Sequence, residues 1–296
     1  MVTADTHAIS LPADGQLFGA GVRRFLRHHP TMVLGMGLLV VMVGIAVYAE
    51  LRYTTEPMEL NPIERLRDPE ATHWFGTDMF GRDIFIRTIY GTRISLTVGF
   101  TVAILSTGFG LVIGLVSGFN RTMDAVIMRI MDGLMAIPAI LLAIAIMTLV
   151  RTASVQTVII AITIPEIPRV VRLVRALVLS LREQPFVEAA SAVGAGFLRT
   201  MFKHIMPNTL TPLIVQGTYI MASAVIIEAY LSFLGAGTPP DVPSWGNIMA
   251  EGRTYVQIHF WIILFPGIFL ALTVLGINLM GDGLRDTLDP RIARRM

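Results

Sequence analysis

The sequence predicts an all-helical polytopic membrane protein, and three observations carry that prediction. The chain is 54% hydrophobic and only 15% charged, whereas soluble domains run near 25% charged. Its mean hydropathy is +0.67. Apolar stretches long enough to cross a hydrocarbon core of about 30 Å, about 20 residues each, recur along it. With Cys 0 there is no disulfide, thiolate metal site or cysteine nucleophile. A formal charge of +2 gives no basic field for nucleic acid, so pI ≈ 9.2 reflects arginines beside the membrane.

Residues 1–26 are predicted to be a tail outside the membrane. Arg23, Arg24, Arg27, His28 and His29 precede an apolar run over 31–51. That run is too long for the apolar region of a secretory signal and lacks an A-x-A exit, so it is expected to be a retained first span. Residues 52–92 are rich in charge, proline and turn formers, and with the first span they make a unit over 27–92. The second span is expected over 94–119, carrying Gly99, Gly108, Gly110, Gly114 and Gly118. Small residues of this kind allow close helix approach in lipid, though any one of them is equally well explained as tolerated. A polar turn at Asn120, Arg121 and Thr122 leads to a third span beginning near Leu134, after Asp124, Arg129 and Asp132.

The fourth span, 154–181, changes character at Pro165, Glu166 and Pro168. Beyond them Arg169, Arg172 and Arg175 stand every third position. A voltage sensor shows such a row, but three arginines at one end beside an acid read better as snorkelling or acid pairing. Residues 209–234 and 260–281 supply the fifth and sixth spans. Of the 23 basic residues, eight (Arg52, Arg65, Arg67, Arg82, Arg87, Arg93, Arg151, Arg253) fall on one side of this six-span scheme. The other fifteen share a side with both termini, and the excess of basic residues marks it as cytoplasmic.

Self-contained catalysis is excluded residue by residue. A P-loop needs G-x-x-x-x-G-K-[ST], yet Lys203, the only lysine, is followed by His204 and has no glycine before it. No His is followed by Glu, and the six histidines have no ligand spacing, so no metal site is expected. An ion-coupled carrier places ionisable groups in mid-membrane; Glu166 and Glu228 are the candidates and leave that reading open as the minor one.

The segment 182–208 is polar and rich in small residues, hung between two spans on the arginine-rich side. It contains Glu188-Ala189-Ala190, then Gly194, then His204 and Pro207. This resembles the E-A-A-x-x-x-G-x₉-I-x-L-P signature of permease subunits of binding-protein-dependent ABC importers. His204 stands at the Ile position and Met206 at the Leu position, as in the peptide/nickel branch. Residues 73–83 (His73 to Asp83), 91–96, 228–246 and 278–290 resemble that branch too, with Ile86 standing where it carries Ser. The resemblance covers residues 20–292 and is to the "C-type" subunit of a dipeptide or oligopeptide importer.

The resemblance implies a type I ABC importer permease fold with six spans and both termini cytoplasmic. A five-span core covers 93–284, followed by a short tail over 285–296. It implies a non-catalytic chain without cofactor, half of a pathway shared with a second permease. Two P-loop ATPases would bind ATP and Mg, and an extracytoplasmic solute-binding protein would deliver substrate. Glu188, Ala189, Ala190, Gly194, His204 and Pro207 would form a coupling helix seated on the ATPase, with flat alanines, a turning glycine and an orienting charge. Asp78, Arg82, Asp83, Trp245 and Tyr255 are candidate contacts for the binding protein or a gate, the two aromatics being equally suited to interfacial anchors. Dipeptides, oligopeptides, glutathione and nickel chelates all remain open as cargo.

Overall fold

The computed structural model describes residues 29–52 and 56–288. The expectations for the tail before residue 27 and for Arg291, Arg294 and Arg295 lie outside them. The order is α1 (Pro30–Arg52), α2 (Ile84–Phe119), α3 (Arg121–Met135), α4 (Ala139–Val150), α5 (Val155–Arg182), α6 (Pro185–Ala192), α7 (Phe197–Phe233), α8 (Trp245–Gly252) and α9 (Trp261–Leu288). Among the described residues there is no strand, only an isolated bridge between Thr77 and Asp83.

Four helices, α1, α2, α7 and α9, are long and apolar enough to cross a membrane. The pair α3 and α4, bent by 90°, makes a fifth candidate. Here the structure corrects the expected third span. The chain breaks at Ala136–Pro138, and the apolar remainder, α4, has 12 residues, about 18 Å of helix at 1.5 Å per residue. Proline at 138 cannot continue the ladder of α3, and Arg151 ends α4 in the left-handed region at φ 57°. The second helix also starts ten residues before its expected span, because the Asp83 carboxylate caps it by accepting from the Ile86 N–H at 3.0 Å. Helix α5 is 28 residues long, but its charged second half keeps it below the apolarity of the other spans.

The core is a seam between α2 and α5. Gly110, Gly114 and Gly118 recur every four residues on α2 and lie against Val170, Val174 and Val178 of α5. A methyl group built on Gly114 would fall 2.7 Å from the Val174 Cβ. Gly99 is packed just as closely against Val225 of α7, whereas Gly108 faces open space. Four of the five glycines are therefore close-approach residues, which is how van der Waals packing holds helices together in lipid. Asn120 both ends α2 and caps α3, its side-chain oxygen accepting from the Thr122 and Met123 N–H groups at 3.0 Å.

The three-spaced arginines meet acids. Arg169 pairs with Glu166 at 2.9 Å, Arg172 with Asp132 at 2.5 Å and Arg175 with Asp124 at 2.6 Å. Arg182 donates to the Gly118 carbonyl at 2.9 Å. This row stitches α5 to α3 and to the end of α2. Helix α1 lies outside the core, burying only Gly35, Met42 and Ala49. That seven-residue period is a narrow seam against a neighbouring helix, with Gly35 against Met280 of α9.

Candidate functional site

At one end of the bundle, α6 stands apart from the spans. Pro185 at its first turn needs no N–H partner. Eight residues later the helix closes when the Ala195 N–H reaches the Ala190 carbonyl at 3.0 Å. Gly194 sits in that closure at φ +81°, with nothing within 4 Å of an added Cβ. Glycine is required there by backbone conformation and not by space. Glu188, Ala189 and Gly194 are exposed, and Ala190 is half-buried. The only buried residue of α6 is Val187, which joins the core cluster containing Val178, Met201 and Ile205. One apolar pin holds this helix to the body.

The segment also exposes apolar side chains: Phe186, Val193, Leu198 and Phe202, Val193 by 87%. After Gly196 the chain enters α7 through a π-helical stretch, Thr200–Ile205, that contains Lys203 and His204. Wide turns of this kind are uncommon and concentrate at functional positions. His204 is half-buried, and its carbonyl accepts from the Asn208 side-chain amide at 2.6 Å. Pro207 is exposed and stands in the first turn of the regular α-helical part of α7, which begins at Met206. Of the six predicted coupling residues, Glu188 to Gly194 form one exposed knuckle. His204 and Pro207 belong to the root of the following span.

The opposite end is capped by 56–83 and 235–259. Asp78, Arg82, Arg87 and Glu251 make one cluster there: Arg82 Nε to Asp78 at 2.7 Å, Arg87 to Asp78 at 2.5 Å, and Arg87 to Glu251 at 2.6 Å. Asp78 is 1% exposed and Arg87 0%. Trp245 is fully buried and donates its indole N–H to the Thr88 carbonyl at 2.9 Å. Asp78, Arg82 and Trp245, expected as contacts for a binding protein or a gate, are turned inward and fasten the cap to α2. Charges removed from water need paired geometry, and this cluster supplies it. Tyr255 is half-buried beside Ile84, Ile248 and Ile262.

Asp83 has a double duty. It caps α2 and accepts from His73 Nδ1 at 2.8 Å, while His73 Nε2 meets Glu64 at 3.0 Å. Burial alone would lower the His73 pKa. The hydrogen bonds and charges of Asp83 and Glu64 outweigh it and hold the imidazole above its ordinary value of 6.5.

Glu228, one of the two residues weighed for ion coupling, is fully buried and accepts from Ser232 at 2.8 Å and Ser95 at 3.1 Å. Beside it Asn247 donates to the Pro239 and Val242 carbonyls at 2.9 and 3.0 Å, setting the loop before α8. Arg87, Glu251 and Asn247 escaped the sequence analysis. Arg87 looked like one more interfacial arginine, and its partner Glu251 is 164 residues away.

Comparison with known proteins agrees with the geometry. Residues 106–294 match the model for the binding-protein-dependent transport system inner membrane component. A probable peptide ABC transporter permease of Sinorhizobium fredii is 49% identical over 93% of this chain and 94% of its own. A dipeptide transport system permease of Alkalihalophilus pseudofirmus is 44% identical over 90% and 88%. An oligopeptide transport system permease of Bacillus subtilis is 37% identical, with the same coverage. Among solved structures, an inward-facing methionine ABC transporter aligns with TM-score 0.56 at 22% identity, over 70% of this chain and 96% of that one, which speaks for the fold. The protein belongs to the family of binding-protein-dependent transport system inner membrane components and is a membrane permease of that importer class.

Proposed function

We propose that the chain is the C-type permease of a peptide importer, forming half of the pathway with a second, homologous permease. It crosses the inner membrane six times, with α5 and the α3–α4 pair counted as spans and both termini cytoplasmic. The names of its relatives favour short peptides as cargo. The observation that carries the reading is α6: a short exposed helix between two spans, with exposed Phe186 and Val193 at its ends and Val187 as its one buried residue. That is the form of a docking knuckle, not of a buried structural helix.

In this reading Glu188, the flat alanine face and Gly194 seat in a groove of an ATPase subunit. Two such partners bind ATP and Mg, so this chain needs no cofactor of its own. Approach of the ATPases pushes α6, and the push passes through Val187 and the π-helical root of α7 into α5 and α7 as rigid-body tilting. The cap over 56–83 and 235–259 faces the extracytoplasmic solute-binding protein. Because Asp78, Arg82, Arg87 and Glu251 are paired inside, the cap meets that protein as a rigid surface. The core of 93–284 then does the work, with α1 as an outer addition.

Gly194→Asp tests the assignment. The variant chain should insert normally but fail to co-purify with the ATPases, and peptide uptake should cease. Normal ATPase retention and uptake would sink it. Topology reporters at 65, 190 and 245 give an independent check, since position 190 must face the cytoplasm and the other two must not.

A further inference from the structure

A cavity of about 680 Å³ opens at the end of the bundle that carries α6, between α5, α7 and the last turns of α9. Its wall is mixed: Leu173, Pro207, Val215 and Leu288 supply apolar surface, and polar side chains are set among them. Asn208, Thr211, Gln216 and Tyr219 line it from α7. Together with Pro212 and Val215 they fall within one arc of about 140° at 3.6 residues per turn. Leu210 and Ile214, on the opposite arc, are exposed and apolar, as lipid contact requires. Polar groups at membrane depth persist where they face a water-filled space.

The backbone is opened there as well. Pro212 lies inside α7 and lacks the N–H that would occupy the Asn208 carbonyl. A freed carbonyl in a spanning helix is tolerated where it borders a wet cavity. The charged wall is Arg285, on α9. Tyr219 donates to Asp282 at 2.7 Å. The volume is in the range of small-ligand sites, about 300–1,000 Å³. Side-chain amides, a free carbonyl and a single guanidinium beside an acid match the groups of a short zwitterionic peptide. The amides fit its backbone, and the guanidinium fits its terminal carboxylate.

We infer that this cavity is a binding vestibule for short peptides with a free terminal carboxylate, on the side where cargo leaves the pathway. The inference rests on the peptide-importer reading and adds residues to it. The vestibule sits directly on the π-helical root of α7, so movement of α6 changes its walls. A peptide held by Arg285 and Gln216 is released when those walls part.

The described chain has no cysteine, so a single introduced thiol reports on the site. The assembled complex in inside-out vesicles would carry Gln216→Cys or Thr211→Cys, and labelling of this chain by a charged maleimide would be followed. The label should react at both positions and not at Ile214→Cys. Alanyl-alanine at millimolar concentration, added at the vestibule side, should slow labelling about threefold, as a millimolar dissociation constant implies. The C-terminal amide of the same dipeptide should not, and Arg285→Gln should abolish the protection. Labelling as poor at 211 and 216 as at 214 would mean that lipid fills the groove, and would overturn the inference. Full labelling unaffected by the dipeptide would overturn it equally. Binding-protein-dependent uptake of alanyl-alanine by the unsubstituted complex, run in parallel, separates the two layers. Uptake without protection sinks only the vestibule; no uptake of any short peptide sinks the importer reading and the vestibule with it.

Discussion

The two ends of the bundle handle charge in opposite ways. At the α6 end, Glu188 and its alanines are exposed, among exposed Phe186 and Val193. At the capped end, Asp78, Arg82 and Arg87 are buried in an ion cluster closed by Glu251. Motifs of similar density in sequence therefore perform different physical jobs. An exposed motif spends its chemistry on another molecule, whereas a buried one spends it on holding its own fold. The cap is a staple, and α6 is, in the proposed reading, a handle.

Breaking the staple should produce the largest effect. Arg87→Ala removes one of the two cations that Asp78 and Glu251 share and leaves Arg82 alone between two carboxylates; loss of one partner from a buried ion pair costs about 3–5 kcal/mol. The expected outcome is a chain that fails to accumulate in the membrane or melts far earlier in detergent, read by thermal unfolding. An unchanged melting profile would show that the cluster is not structural.

The glycine seam beneath both ends comes next. Gly114→Val forces side-chain volume against Val174, and overpacking of this kind costs about 1–3 kcal/mol. Pairing it with Val174→Ala should restore part of the lost thermal stability. A double variant no better than the single one would argue against direct contact.

At the handle, Val187→Ala removes the single pin of α6 at a local cost of about 1–2 kcal/mol. Uptake should fall severalfold while the melting temperature of the whole chain barely moves. A large fall in melting temperature with uptake intact would reverse the distinction between the two ends.

The smallest effect is pH-dependent and confined to the cap. His73 has a folded pKa above its ordinary 6.5 because Asp83 and Glu64 outweigh burial. Its stabilisation is complete below pH 6.5 and is lost as pH rises through the raised folded value. The cap should therefore protect its segment from proteolysis better at pH 5.5 than at pH 8.5. His73→Gln should flatten that difference; a protection profile that His73→Gln leaves unchanged would exclude the imidazole as its source.

Much of this was legible in the linear chain. The E-A-A-x-x-x-G knuckle is a contiguous pattern, and its glycine is dictated by a local backbone angle, φ +81° at Gly194. The acid pairing of the arginine row was readable because Glu166 stands three residues from Arg169. Asp132 and Asp124, 40 and 51 residues from their arginines, gave no such local signal. Pro138 was visible too, yet the length of the apolar run beyond Leu134 concealed the 90° break it imposes.

By itself the sequence determined an all-helical membrane chain, the place of its exposed E-A-A-x-x-x-G knuckle and the family to which it belongs. Hydrophobic run length and short-range turn chemistry are local properties, and local properties are written in order along the chain. Tertiary structure alone decided that Asp78, Arg82 and Trp245 face inward, and that Gly110, Gly114 and Gly118 meet a valine row while Gly108 meets nothing. It also decided that polar residues of α7 share a cavity with Arg285, 66 positions after Tyr219. Burial and pairing depend on which distant segment arrives, and only the packed helices choose it.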